Sequence, residues 1–96
     1  RRVLFRSAAI VPHIPTVHLN GTNGEALRSE YEKAYYAIQA AIDALSDATL
    51  NGRDFYPQGP DAFYEARDQR KEAFSCLFAA RDYAGRIVEG IDAQLP

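Results

Sequence analysis

Residues 27–48 read LRSEYEKAYYAIQAAIDALSDA. Leu27, Tyr31, Ala34, Ile38, Ala41, Leu45 and Ala48 recur at steps of four and three. That spacing aligns apolar side chains along one side of an α-helix and, when repeated, makes a heptad seam. Tyr35 and Ile42 widen it. Upstream, Thr22 and Glu25 have capping-box spacing: the hydroxyl accepts a free backbone N–H and the carboxylate reaches back. Downstream, Asn51-Gly52 supplies residue types that tolerate the left-handed backbone on which helices commonly end. The pattern predicts a helix over about 24–49.

A second stripe follows at the same steps: Phe63, Ala66, Arg70, Ala73, Leu77, Ala80, Ala84, Ile87 and Ile91. Phe74, Phe78, Val88 and Leu95 flank it. Pro60 suits the first helical position, where its missing N–H is not needed, and Asp61 suits the positive end of the helix dipole. A helix over about 60–94 is expected, weakened late by Gly85 and Gly90 at ~1 kcal/mol each relative to alanine. Residues 51–59, NGRDFYPQG, become the connecting loop. The fold class is therefore all-α: an antiparallel helical hairpin. At ~1.5 Å per residue its helices measure roughly 39 and 50 Å, so the second overhangs.

Residues 8–20, AAIVPHIPTVHLN, precede the hairpin. Pro12 and Pro15 cannot donate to a β-ladder, which excludes a central strand. They read as an extended arm with room for a short edge strand at 16–19. The arm is placed to cover Ile87, Val88, Ile91 and Leu95 on the overhang. The chain contains no methionine, and RRVLFRS at residues 1–7 resembles the translation of a sequencing adapter. Residues 1–7 are set aside as non-native, and 8–96 read as one domain. Removing those three arginines from eleven basic residues, against thirteen acidic ones, moves the formal charge from −2 to −5.

With 96 residues and 47% hydrophobic content, one folded domain is the limit and wholesale disorder is excluded. No apolar run approaches the ~18 residues of a membrane span. The acidic balance excludes a generally basic surface for extended nucleic acid. A single cysteine forbids an intrachain disulfide and fits a reducing compartment. Cys76, between Phe74 and Leu77 and without a local histidine, reads as an inert core thiol. The carboxylates fall mostly off the seam, as a solvated face does. No nucleophile, metal cluster or acid/base pair marks an enzyme, and no cofactor is implied. His13 and His18 lack companions at metal-ligand spacing.

The seam is rich in alanine, which contributes little burial per residue. Tyr35, Ile42, Phe74, Phe78 and Val88 spill beyond it. The expected assembly is a homo-oligomeric helical bundle. The densest polar-aromatic cluster is Arg53, Phe55, Tyr56, Gln58, Tyr64, Arg67 and Arg70, with Asp54 among them. Aromatic faces stack on bases and guanidinium groups pair with phosphate, a mixture suited to a nucleotide; a well-packed loop is the alternative. Arg70, on the apolar stripe, must be paired, reach out to water or meet a ligand. At the other end HLNGTNG, with His18, Asn20 and Thr22, offers turn and helix-start N–H groups to an anion. It is not a P-loop. The two stretches lie at opposite ends of one hairpin, so only a subunit interface could join them.

HLNGTNG at 18–24 and NGRDFYPQGPDAF at 51–63 resemble small uncharacterised proteins of phages and mobile elements, which pair such a turn with such a loop between two helices. The resemblance spans nearly all of residues 16–95 and supplies no catalytic residues. Size, acidity and build are more loosely similar to phage anti-defence "sponge" proteins of CBASS and Thoeris systems. That likeness implies a cytoplasmic protein of the infected host cell. It would sequester a cyclic oligonucleotide or cyclic ADP-ribose signal without cleaving it. A structural or protein-interaction helical adaptor is the alternative.

Overall fold

The computed structural model describes residues 10–96; the segment 1–9, and with it the adapter reading of 1–7, lies outside the described residues. The chain forms α1 (Gly24–Asp47), a short α2 (Gly52–Phe55), a 3-10 turn (Tyr56–Gln58) and α3 (Ala62–Asp92). The described residues are thus helical, with α1 packed on α3. None of them forms a strand. The edge strand allowed at 16–19 is absent because the arm's polar groups turn to a side chain instead. Val17 N–H donates to Gln94 Oε1 (2.8 Å), and Gln94 Nε2 donates to the Pro15 carbonyl (2.8 Å).

The helix ends differ from the sequence reading in informative ways. Asn23, not Thr22, caps α1: its Oδ1 accepts from Ala26 N–H at 3.0 Å. The helix stops at Asp47, where Ala48 is extended, rather than running to 49. Asn51 does not end it in a left-handed conformation. Asn51 is extended and caps α2, its Oδ1 accepting from Arg53 N–H at 2.9 Å. Among the described residues only Gly59, with φ of 123°, has positive φ. Residues 51–59 are therefore two short helical turns rather than plain loop. Pro60 lies in a turn ahead of α3, outside the first helical position, and Asp61 caps without a side-chain bond.

Gly85 and Gly90 do not interrupt α3. Both are places where another side chain comes close. A Cβ on Gly85 would lie 3.0 Å from Tyr35 Cε1, and one on Gly90 only 2.5 Å from Ile14 Cγ2. The missing methyl lets Tyr35 and the arm seat against α3.

The core is thin. Ile87 and Ile91 are fully buried; Ala84 and Ile42 complete the buried apolar set. On α3 these are seam positions, although Ala73 is exposed. On α1 the buried face is rotated from the expected one: Ala34, Ala41 and Ala48 are exposed, and Gly24 and Ile42 are buried. Larger side chains win the interior because burial free energy scales with apolar area. Tyr35 and Ile42, which the spacing set beyond the seam, are thus seated within the chain, Ile42 buried and Tyr35 against Gly85. Phe78 remains 44% exposed.

Polar contacts tie the helices along their length. Arg28 pairs with Asp92 (2.5 Å) where α1 begins and α3 ends. Arg81 donates to Gln39 Oε1 (2.5 Å) at the middle, and Arg70 reaches the end of α1. The molecule measures 61 × 27 × 16 Å, so it is about one helix deep, given a helix diameter of ~10–12 Å. Among the described residues no helix is long and apolar enough to cross a membrane.

Candidate functional site

The loop end gathers most of the expected cluster. Asn51 starts α2, and Phe55 then turns its ring toward Phe63 on α3 (centroids 6.5 Å apart). Phe63 meets Tyr64 edge-on at 5.6 Å. The aromatic contact fixes the loop against α3 and leaves the polar members outside. Arg53, Tyr56, Gln58, Tyr64 and Arg67 are all exposed, Tyr56 by 81%. The Arg67 guanidinium lies 5.1 Å from the centroid of the Tyr64 ring, a cation–π arrangement. It also sits 3.5 Å from Asp68, an exposed pair of little energetic weight. Arg53 makes no ion pair among the described residues.

Arg70 departs from this group. Its Nη1 donates to the Ala48 carbonyl (2.9 Å), and its Nη2 to the carbonyls of Leu45 (2.9 Å) and Ser46 (3.1 Å). These are the orphan carbonyls at the end of α1, where a cation also opposes the negative end of the helix dipole. Its guanidinium lies 5.3 Å from the Phe74 ring centroid. Arg70 therefore holds the corner, and its donors are engaged by backbone rather than presented for a phosphate.

His18, Asn20 and Thr22 are exposed in the turn ahead of α1. Gly21 N–H donates to the His18 carbonyl at 3.1 Å, and the imidazole packs over Gly21. This turn and the loop flank opposite ends of a 24-residue helix, about 36 Å apart. The structure thus gathers residues 53–67 at one end and 18–22 at the other, and does not join the two sets within one chain. Among the described residues no group of three or more His, Cys, Asp or Glu could hold a metal ion. Cys76 is exposed rather than a core thiol, since it precedes Leu77 on α3 and turns out of the seam.

The sequence reading missed a polar ladder on the flank. Arg81 Nη1 donates to Gln39 Oε1, and Gln39 Nε2 donates to Asp43 Oδ1 at 3.0 Å. The four-residue step from Gln39 to Asp43 was its available signal. Beside it lies an open groove of about 510 Å³ lined by Ile42, Asp43, Ser46, Lys71, Phe74 and Phe78.

No protein-family model, curated protein or solved structure matches the chain. What the loop end offers chemically is ring stacking and anion pairing on an open surface.

Proposed function

We propose that the protein is a non-enzymatic binding module, an antiparallel hairpin that self-associates and holds a nucleotide-derived ligand at its loop end. One observation carries the reading: at the loop end Arg67 stands stacked on Tyr64 at the surface, and its guanidinium is not tied to backbone carbonyls as that of Arg70 is. A pre-stacked guanidinium and ring suit a base face and a phosphate together. The surface is open in one chain, so a second copy would complete the enclosure. On this reading the module sequesters a cyclic oligonucleotide or cyclic ADP-ribose type of signal in the cytoplasm of an infected cell, as the sponge resemblance implies.

Thermal denaturation with cyclic di- and trinucleotides and cyclic ADP-ribose isomers tests it. A ligand at ~100 times its dissociation constant stabilises by about 2.7 kcal/mol. Arg67→Ala with Tyr64→Ala should abolish that shift. No shift with any of these probes sinks the reading, and conversion of a probe to product replaces binding with catalysis. The adaptor reading draws on the apolar groove between α1 and α3.

A further inference from the structure

Polar groups along one flank of the hairpin meet in rungs, one member from each helix. Arg28 on α1 pairs with Asp92 on α3, and Arg81 on α3 donates to Gln39 on α1. Between these rungs Tyr35 lies against Gly85. One helical turn from that contact, back along α1 and onward along α3, stand Glu32 and Glu89 at a common height. This rung holds two carboxylates and no cation. Neither makes an ion pair or a hydrogen bond among the described residues. The neighbouring guanidinium groups are engaged elsewhere. Arg28 is on Asp92, Arg81 is on Gln39 and 5.3 Å from the Phe78 ring centroid, and Arg86 lies 3.9 Å from Asp82. Glu32 and Glu89 line a depression of about 260 Å³ together with Tyr35, Tyr36, Gly85 and Val88. The two tyrosine rings stand at 89° with centroids 5.2 Å apart, which makes an aromatic corner. Gly85 lets Tyr35 close against α3, and Tyr36 is 66% exposed.

Two carboxylates without a counter-ion, beside two aromatic rings, form a recognition set for an organic cation. The carboxylates accept charged N–H groups, and the rings attract the charge and cover the carbon atoms next to it. The depression is smaller than the ~300–1,000 Å³ that holds a drug-sized ligand. It suits a head group with a short apolar stem rather than a whole nucleotide. We propose that this rung binds an alkylammonium group, with its nitrogen between Glu32 and Glu89 and its methylenes on Tyr35 and Tyr36. A calcium ion fits less well, because it takes about six to eight oxygen ligands and the rings and Val88 supply none. The net acidic chain does not oppose the approach of a cation. The same chemical group ends a free diamine and a lysine side chain, so both are tested. The site lies on the flank and stands whether or not the loop end holds a nucleotide.

Titration of the full chain with cadaverine and with Nα-acetyl-lysine methylamide tests it, read by nuclear magnetic resonance of the tyrosine rings at constant ionic strength. Tyr35 and Tyr36 should shift saturably, while Tyr56 and Tyr64 at the loop end stay in place. Tighter binding of the lysine derivative assigns the site to a side chain of a partner protein, and tighter binding of cadaverine to a free diamine. Glu32→Gln and Glu89→Gln should each weaken binding about threefold, and about tenfold together. Tyr36→Leu should weaken it about threefold, whereas Tyr36→Phe keeps it. Glu89→Lys places a cation of the chain's own in the rung. It should abolish amine binding and raise the melting temperature of the unliganded protein, a readout that needs no ligand. Saturation by neither amine overturns the proposal. So do equal shifts when sodium chloride replaces the amine salt, and wild-type binding by the double glutamine variant.

Discussion

Replacing Arg70 with methionine should unfold the corner of the molecule more than any other single arginine change. Methionine keeps the apolar stem on the seam and removes only the guanidinium. Three hydrogen bonds go with it, to Leu45, Ser46 and Ala48. A hydrogen bond to a charged group contributes ~1.5–3 kcal/mol where water is excluded. Here only the Leu45 bond is part-buried; the other two face solvent. Taking about 1.5 kcal/mol for the first and about 0.5 for each exposed one gives a loss of about 2.5 kcal/mol. For a domain of this size that lowers the melting temperature by roughly 10–20 °C. Arg67→Met is the control: its guanidinium is exposed and its ion pair is with a chain neighbour, so the cost should stay under about 0.5 kcal/mol. Arg70→Lys keeps the charge without the planar fork and should recover less than half of the loss. Circular dichroism melts at one fixed protein concentration are the assay, because association raises apparent stability. Equal losses for Arg70→Met and Arg67→Met, or full recovery by lysine, would refute the capping argument.

Asn23→Ala should cost about 1 kcal/mol in urea denaturation as the cap of α1 is lost, whereas Thr22→Ala should leave stability within about 0.5 kcal/mol. The two helix glycines should part company. Gly85→Ala asks Tyr35 to give way by a few tenths of an ångström, and gains up to ~1 kcal/mol of helix propensity. Gly90→Ala drives its methyl into Ile14, and should release the arm, seen as faster hydrogen exchange at Val17 N–H with α3 still helical. A double-mutant cycle on Arg28 and Asp92 should give a coupling of no more than about 1 kcal/mol, since both side chains remain partly solvated.

Much of the architecture was written in the hydrophobic spacing. The stripe from Phe63 to Ile91 placed α3 and most of its buried face, because long side chains sit at its critical positions. The stripe on α1 was ambiguous. Leu27, Tyr31, Ile38 and Leu45 belong equally to a seam through Ala34 and Ala41 and to one through Tyr35 and Ile42, and periodicity alone cannot rank them. Side-chain area could have: a tyrosine and an isoleucine bury far more than two alanines. Helix ends were less legible. Thr22 and Asn23 are both good caps, and which one serves depends on a backbone turn of one residue. The end of α1 was not a local property at all, since Arg70, more than twenty residues on, holds its last carbonyls. For the candidate site, composition pointed to the loop end, and position on the seam marked Arg70 as unusual. Only the carbonyls it meets distinguish a structural arginine from Arg67, which remains on the surface.

The polar contacts also rank themselves by how much chain separates their partners. At the corner Arg70 reaches back 22 to 25 residues; Arg81 to Gln39 spans 42; Arg28 to Asp92 spans 64; the arm contacts span 76 to 79. Closing a short loop costs less entropy than closing a long one, and each contact made shortens the loop that the next must close. The chain is thus arranged as a zipper with its starter at the Arg70 corner and its last tooth where Gln94 meets the Pro15 carbonyl. Opening should run in the opposite order, with the arm fraying first and the corner holding until global unfolding. Stability and folding speed therefore meet in one guanidinium. Arg70 should report a contact already formed at the rate-limiting step, whereas changes at Gly90 should leave the folding rate alone.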